Sequence, residues 1–339
     1  MKIILDILNF IAIIAKIAAC SLNLFVLLLL LYGTDRQVAQ SYRRTLIWMI
    51  SIDLAYSISG LIFYPIIFFT GSYLYVIYDV LPVFGKVIVE KTCLTLPSFL
   101  TLFLIMLCVI VLPIPCIVRY VNLTTKRIST RQIDGMFIFC LLISSSYGAY
   151  NARTVKLPDP VSDDILSESY GINMSGSLYT VTNATNLSCL SNYAIIGMIM
   201  CIYVLIVGLS WKTNRIMNLM VNHLTRETRR MQEQMKKVIL IQTLYPFFIM
   251  SVPALILEIY PYMNLADISR YLNYYCTTAL MWISVFNPLS IILCIPHNRK
   301  AVFNMLTCRV MRRSSISSSI DSGLARIFSG KDRRMSAWN

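Results

Sequence analysis

The chain has 339 residues, 57% of them hydrophobic and only 14% charged, with a formal net charge of +14. Soluble domains carry roughly 25% charged residues, so much of this surface must face lipid, and the apolar runs leave no room for a second globular domain. The positive charge does not point to nucleic acid, because the Lys and Arg crowd at the ends of apolar runs and not on one folded face.

A membrane span needs about 20 mostly apolar residues. Seven runs meet this, at 8–32, 45–70, 93–118, 134–151, 191–211, 238–260 and 271–295. The expected fold is all-α, a membrane bundle of seven transmembrane helices filling residues 1–295. The first run continues from Leu22 to Leu31, past the length of a signal-peptide core, and is read as an uncleaved span. Lys16 lies inside it, where a charge costs about 2.5–3.5 kcal/mol on insertion scales. It snorkels, faces the bundle interior, or meets an anionic ligand. Asn23 sits deeper in the same run. Residues 72–84 are moderately apolar but interrupted by Asp79 and Pro82, and are read as an outer loop at the membrane interface.

In the second span, Asp53 is the one carboxylate well inside a run, which suits a buried polar switch or an ion site. Cys93 opens the third span and Cys189 closes the long loop that precedes the fifth. On an oxidising face these two would form a disulfide; the alternative is two free thiols. Arg119-Tyr120 end the third span, 26 residues beyond Cys93. That is about 39 Å of helix at 1.5 Å per residue, against roughly 40–45 Å for a bilayer with its headgroups. Arg119 is therefore expected as an interfacial cation, a position that simple positive-inside anchoring would also fill. Pro113 and Pro115 should kink or loosen the last turns before it.

The alternate gaps 33–44, 119–133 and 212–237, with the tail 296–339, hold 23 of the 30 Lys and Arg. The other side carries Asp159, Asp163, Asp164 and Glu168. The N-terminus is thus expected outside and the tail in the cytoplasm. Three glycosylation sequons, at Asn173, Asn183 and Asn186, fall in the outer loop 152–190, and a fourth at Asn122 falls inside and should stay unmodified. The third inner loop ends in LTRETRRMQEQMKK, with Arg229 and Glu233 at helical spacing. It extends the sixth helix towards a docking partner, or is a solvated basic loop.

Pro246 and Pro253 in the sixth span, and Asn287-Pro288 in the seventh, free carbonyls and permit hinges. Beyond the last span, residues 296–311 place Val302, Phe303, Leu306 and Val310 at helical spacing, as an amphipathic helix on the inner leaflet would. Cys308 there is a palmitoylation candidate. Residues 312–339, rich in Ser and Arg, are expected to form a disordered cytoplasmic tail.

Together, the seven spans, the outer N-terminus, the two Cys, Arg119-Tyr120 and Asn287-Pro288 resemble a G-protein-coupled receptor. The stretch Leu240-Ile241-Gln242-Thr243-Leu244-Tyr245-Pro246, followed by Pro253, resembles the sixth-span signature of nematode chemoreceptors of the Str superfamily (Str, Srd, Srh and relatives), with a lean towards Srd. Asn23, Asn287-Pro288-Leu289-Ser290 and Arg299-Lys300 fit the same pattern. Val118 stands where rhodopsin-like receptors carry an acid before the Arg, Ile291 replaces a Tyr, and no Trp precedes Pro246. The resemblance therefore implies no Arg–acid lock of the rhodopsin kind, and favours the nematode family.

What it implies is a chemosensory (olfactory) receptor in the plasma membrane of a sensory cilium. It would bind a small external molecule, odorant- or pheromone-like, and activate a heterotrimeric G protein, with no cofactor or metal. The ligand cavity would draw on Ser98, Phe99, Tyr203, Glu258, Tyr274, Tyr275 and Thr278. Coupling would involve Arg119, Tyr120, Arg229, Arg230, Lys236 and Lys237, and switching Asp53, Pro246, Asn287 and Pro288. A ligand-gated channel or transporter is the alternative; it predicts internal repeats, and none is visible. An intramembrane enzyme would need convergent groups at depth, yet His223 and His297 both fall on the cytoplasmic side and Asp53 has no second Asp.

Overall fold

The computed structural model describes residues 2–32, 40–63, 65–70, 73–78, 91–124, 128–154, 178–183, 187–219 and 284–293, with single positions at 160, 164, 167, 233, 236, 237, 240, 241, 244, 248, 278, 279, 282 and 299. It divides into two units, Met1–Ile291 and Ile292–Asn339. In the second, the described residues Ile292, Leu293 and Arg299 are helical.

The first unit begins with α1 (Lys2–Tyr32), an apolar run without Gly or Pro. Its last carbonyls have no helical donors of their own. Arg43, from α2 (Gln40–Phe63), supplies two: Nε donates to the Leu30 carbonyl at 2.7 Å and Nη2 to the Leu31 carbonyl at 2.9 Å. The second span was expected to run to residue 70. It stops at Phe63, because Pro65 disfavours helix at the residue before it. The apolar sequence PIIFFT then forms strand β1 (Pro65–Thr70).

Strand β2 (Tyr73–Tyr78) pairs antiparallel with β1, so the region read as an interfacial loop contains a strand. The register sets Thr70 opposite Tyr73. The third strand, β3 (Leu178–Asn183), comes from a distant loop and pairs with β2, giving the order β1-β2-β3. Val76, at the centre, is buried, and lies opposite Ile67 on one side and Thr180 on the other. Among the described residues the bundle itself is helical, and the sheet belongs to its connections.

The third span is two helices, α3 (Lys91–Ile110) and α4 (Pro113–Thr124). It runs to 124, beyond the expected end at 118. The break at Val111-Leu112 falls where Pro113 and Pro115 offer no N–H. Tighter bonds take over there, Leu112 N donating to the Val109 carbonyl at 3.2 Å and Ile114 N to that of Val111 at 3.0 Å.

The fourth span is α5 (Thr130–Thr154). Its start is a reciprocal cap: Ser129 N donates to Gln132 Oε1 at 3.0 Å, and Gln132 N to Ser129 Oγ at 3.3 Å. The fifth span is α6 (Leu187–Leu219), longer at both ends than the expected 191–211.

Among the described residues, five helical stretches are long and apolar enough to cross a membrane: Phe10–Tyr32, Gln40–Phe63, Thr95–Thr124, Thr130–Tyr150 and Gly197–Leu219. Of the expected sixth span, Leu240, Ile241 and Leu244 are helical and most of the rest lies outside the described residues. The seventh is represented by α7 (Ser284–Leu293).

The main core joins α2, α3, α4 and α5 through Met49, Ile52, Tyr56, Leu104, Leu107, Ile114, Val118, Ile133 and Phe137. In lipid, helices meet through close packing more than through the hydrophobic effect. Gly148 on α5 shows this. A Cβ there would stand 3.0 Å from Phe103 Cβ and 3.0 Å from the Phe99 ring. A second seam joins α4 to α6 through Leu112, Cys116 and Ile206.

Candidate functional site

A polar seam runs through the middle of the bundle. Asp53 on α2 is only 3% exposed. Its Oδ2 accepts a hydrogen bond from Asn287 Nδ2 at 2.9 Å, and Cys108 Sγ on α3 lies 4.0 Å from its Oδ1. Two of the four residues expected to form a switch thus meet directly, across 234 positions of chain. Pro288 is buried beside them, and Pro246 lies outside the described residues.

Pro288 lacks the N–H that a helix would direct to the carbonyl four residues back, that of Ser284. Asn23 Nδ2 donates to that same carbonyl at 2.8 Å, and to its own Ala19 carbonyl at 2.9 Å. A side chain of the first span therefore replaces the donor that proline removes from the seventh. Ser290 Oγ donates to the Asn287 carbonyl at 2.7 Å. Lys16 lies two turns from Asn23 and is buried at 2% exposure. It faces the bundle interior and does not snorkel.

Towards the end of the bundle that carries the sheet, α3 presents Ser98 and Thr101, both buried. Neither hydroxyl has a hydrogen-bond partner among the described residues. Thr101 stands two turns above Cys108 on the same face of α3, so it shares the side that reaches Asp53. Thr101 was not among the expected pocket residues; its signal is the spacing to Ser98 and Cys108.

Phe99 stacks on Phe103 at 5.7 Å and lies against Gly148, in the α3–α5 seam. Helix periodicity sends neighbouring residues about 100° apart, so it stands on a different face of α3 from Ser98. Tyr203 is buried on the face of α6 that also carries Ile206, Thr213 and Met217, and Thr278 is half-buried. Glu258, Tyr274 and Tyr275 lie outside the described residues.

Cys93 and Cys189 lie in the first turns of α3 and α6, at this same end, and β3 lies against both helices. Asn183 is the last residue of β3. Asn173, Asn186 and Cys308 lie outside the described residues.

The opposite end holds Arg119. It is 3% exposed, packed among the helices. The reason is the longer α4, which carries the chain a further turn beyond it. Its Nη2 donates to Met217 Sδ on α6 at 3.0 Å. Tyr120 is half-buried, Lys236 and Lys237 are helical and exposed, and Arg229 and Arg230 lie outside the described residues.

α2 and α5 are also tied by charge. Asp134 accepts from Arg44 Nε at 2.8 Å, from Arg44 Nη2 at 3.2 Å and from Trp48 Nε1 at 2.7 Å. Trp48 also stacks on Phe137 at 5.4 Å. Asn122, the fourth sequon, is used structurally. Its Nδ2 donates to Ser41 Oγ at 3.1 Å, and its Oδ1 accepts from Ile128 N at 3.2 Å.

The family model described as serpentine type 7TM GPCR chemoreceptor Str matches residues 8–303. Squid rhodopsin, in its crystal structure, is similar in fold, with a TM-score of 0.58 over 90% of this chain and 85% of that one, at 16% sequence identity. At that identity the likeness speaks for the fold alone. No curated protein matches the sequence.

Proposed function

The chain belongs to the Str family of serpentine seven-transmembrane chemoreceptors, and from that premise we propose how this G-protein-coupled chemosensory receptor uses its two ends. A small external molecule, odorant- or pheromone-like, binds at the sheet end. A heterotrimeric G protein docks at the Arg119 end. The observation that carries this reading is the family match over residues 8–303.

The orientation that goes with it sets the N-terminus and the sheet outside and the tail in the cytoplasm, in the plasma membrane of a sensory cilium. The 23 basic residues gathered in alternate gaps and tail support it, as does the use of Asn122 in a hydrogen-bonded tie. On this orientation Cys93 and Cys189 form an outer disulfide, Asn173, Asn183 and Asn186 are glycosylated, and Cys308 on the inner-leaflet helix 296–311 is palmitoylated, with 312–339 as the tail.

The ligand sits among Ser98, Thr101, Tyr203 and Thr278, with Glu258, Tyr274 and Tyr275 completing the cavity. Buried hydroxyls without partners cost free energy, and a ligand that bonds to Ser98 and Thr101 removes that cost. A ligand drives signalling only by binding one state of the bundle better than the other. The Asp53–Asn287 bond, beside the Pro288 hinge, is the element whose two arrangements it selects. Coupling then falls to Arg119, Tyr120 and the basic residues Arg229, Arg230, Lys236 and Lys237 at the inner end of the sixth helix.

The test is a panel of volatile and water-soluble small molecules applied to cells carrying a G-protein reporter. At least one should evoke a response that Arg119→Ala abolishes at unchanged surface expression. A ligand-evoked current that needs no G protein would instead make the protein a channel.

A further inference from the structure

Helix α6 has two faces along its length. Tyr203, Ile206, Thr213 and Met217 are buried against the bundle. Val204, Val207 and Trp211 stand exposed on the other side, spaced three and four residues apart, and Arg215 continues their line one turn on. On a membrane-spanning helix an exposed valine stripe meets lipid, so Trp211 and Arg215 face the bilayer and not the packing between helices. The span opens at Gly197. Arg215 lies about 27 Å further along at 1.5 Å per residue, close to the edge of a hydrocarbon layer about 30 Å thick.

The stripe ends in a preformed cation pair. The Arg215 guanidinium carbon stands 5.9 Å from the centre of the Trp211 ring, and attraction to the ring face holds a flexible cation in one place. Trp211 itself is 63% exposed. Lys212, three residues before Arg215, is a neighbour on the helix surface and is exposed as well. Among the described residues no acidic side chain pairs with either cation.

We propose that the Val204–Arg215 stripe of α6 binds one net-anionic phospholipid of the cytoplasmic leaflet. The planar fork of Arg215 takes the phosphodiester through paired N–H donors. Lys212 meets the headgroup's further negative charge. The Trp211 indole lies at headgroup level, as aromatic side chains do at this depth, and an acyl chain follows Val207 and Val204. A choline headgroup would bring its own cation against Lys212 and Arg215, so net charge selects the lipid. The assignment to the inner leaflet rests on the orientation proposed above; the site on α6 does not. A G protein is the other partner that basic residues at this end could meet. The stripe favours lipid because its cations continue the valine line and lie opposite the buried face of α6.

The test uses full-length receptor in phosphatidylcholine nanodiscs. Each disc contains, at one low mole fraction, either phosphatidylserine or phosphatidylcholine with brominated acyl chains. Bromine quenches indole fluorescence on contact, and the difference between wild type and Trp211→Phe isolates Trp211. Brominated phosphatidylserine should quench Trp211 several-fold more than brominated phosphatidylcholine. Lys212→Gln/Arg215→Gln should quench equally with both. Lys236→Gln/Lys237→Gln, which removes the same charge from other exposed positions, should keep the preference. Equal quenching in the wild type overturns the proposal without recourse to any variant. So does a preference that survives Lys212→Gln/Arg215→Gln, or one that the control pair abolishes as fully. Equal quenching in the wild type, joined to loss of GTP exchange in Lys212→Gln/Arg215→Gln, would give the face to the G protein instead. The discs offer lipid on both faces and the signal needs neither ligand nor G protein, so the result stands apart from the receptor reading and its orientation.

Discussion

The seam between α3 and α5 and the seam between α4 and α6 are built on different physics. In the first, together with α2, rings and charges brace one another. Trp48 lies on Phe137, donates to Asp134 and shares that carboxylate with Arg44, while Gly148 lets Phe99 and Phe103 close onto the α5 backbone. In the second, Leu112, Cys116 and Ile206 pack together and Arg119 donates to the Met217 thioether. Directional contacts brace the first packet, and the second relies more on van der Waals packing. The contrast marks α2, α3 and α5 as the more tightly braced part of the bundle.

Substitutions can break or sharpen that contrast. The largest effect is expected at Gly148. Gly148→Val forces atoms into Phe103 and Phe99, and overpacking of this kind costs about 1–3 kcal/mol. Purified receptor should unfold several degrees lower. Gly208→Val on α6, where nothing lies within 4 Å of the added carbon, should leave unfolding nearly unchanged. Equal losses at the two glycines would erase the distinction between the two seams.

Next comes Asp134→Ala, which strips the indole N–H of Trp48 of its acceptor at about 1–2 kcal/mol. It should lower unfolding clearly, while Trp48→Phe, which keeps the ring stack, should lower it less. Ser129→Ala removes the cap of α5 and should cost about 1 kcal/mol, read as a modest drop in unfolding temperature. Smallest is Arg44→Ala. Arg44 is 45% exposed in its ion pair, and surface pairs contribute about 0–1 kcal/mol. A loss as large as that of Asp134→Ala would mean that the ion pair, and not Trp48, braces α2 to α5.

Much of the fold was legible in the sequence because membranes impose it. Apolar runs marked where the helices lie, and Pro113 and Pro115 marked where the third span breaks. Capping chemistry at Ser129-Thr130-Arg131-Gln132 is equally present in the sequence. The second span was drawn too long because the strand sequence PIIFFT is as apolar as a helix, and only Pro65 separates the two. Of the switch, Asp53 and Asn287 were chosen separately for their chemistry. Nothing in either stretch said that one would hold the other.

What the sequence by itself determined was the family and the approximate place of the apolar helices that the structure describes, since composition acts locally along the chain. What only the tertiary structure decided was which face of each helix meets which neighbour. Phe137 is fully buried and Phe139 is 62% exposed, two residues apart on α5. In water that difference would be written as polarity on the outer face. In lipid both faces are apolar, so hydrophobic pattern cannot tell core from surface. For the same reason the turning of Phe99 away from Ser98, the meeting of Asn23 with the carbonyl freed by Pro288, and the rest of Arg119 on Met217 became visible only once the helices were packed.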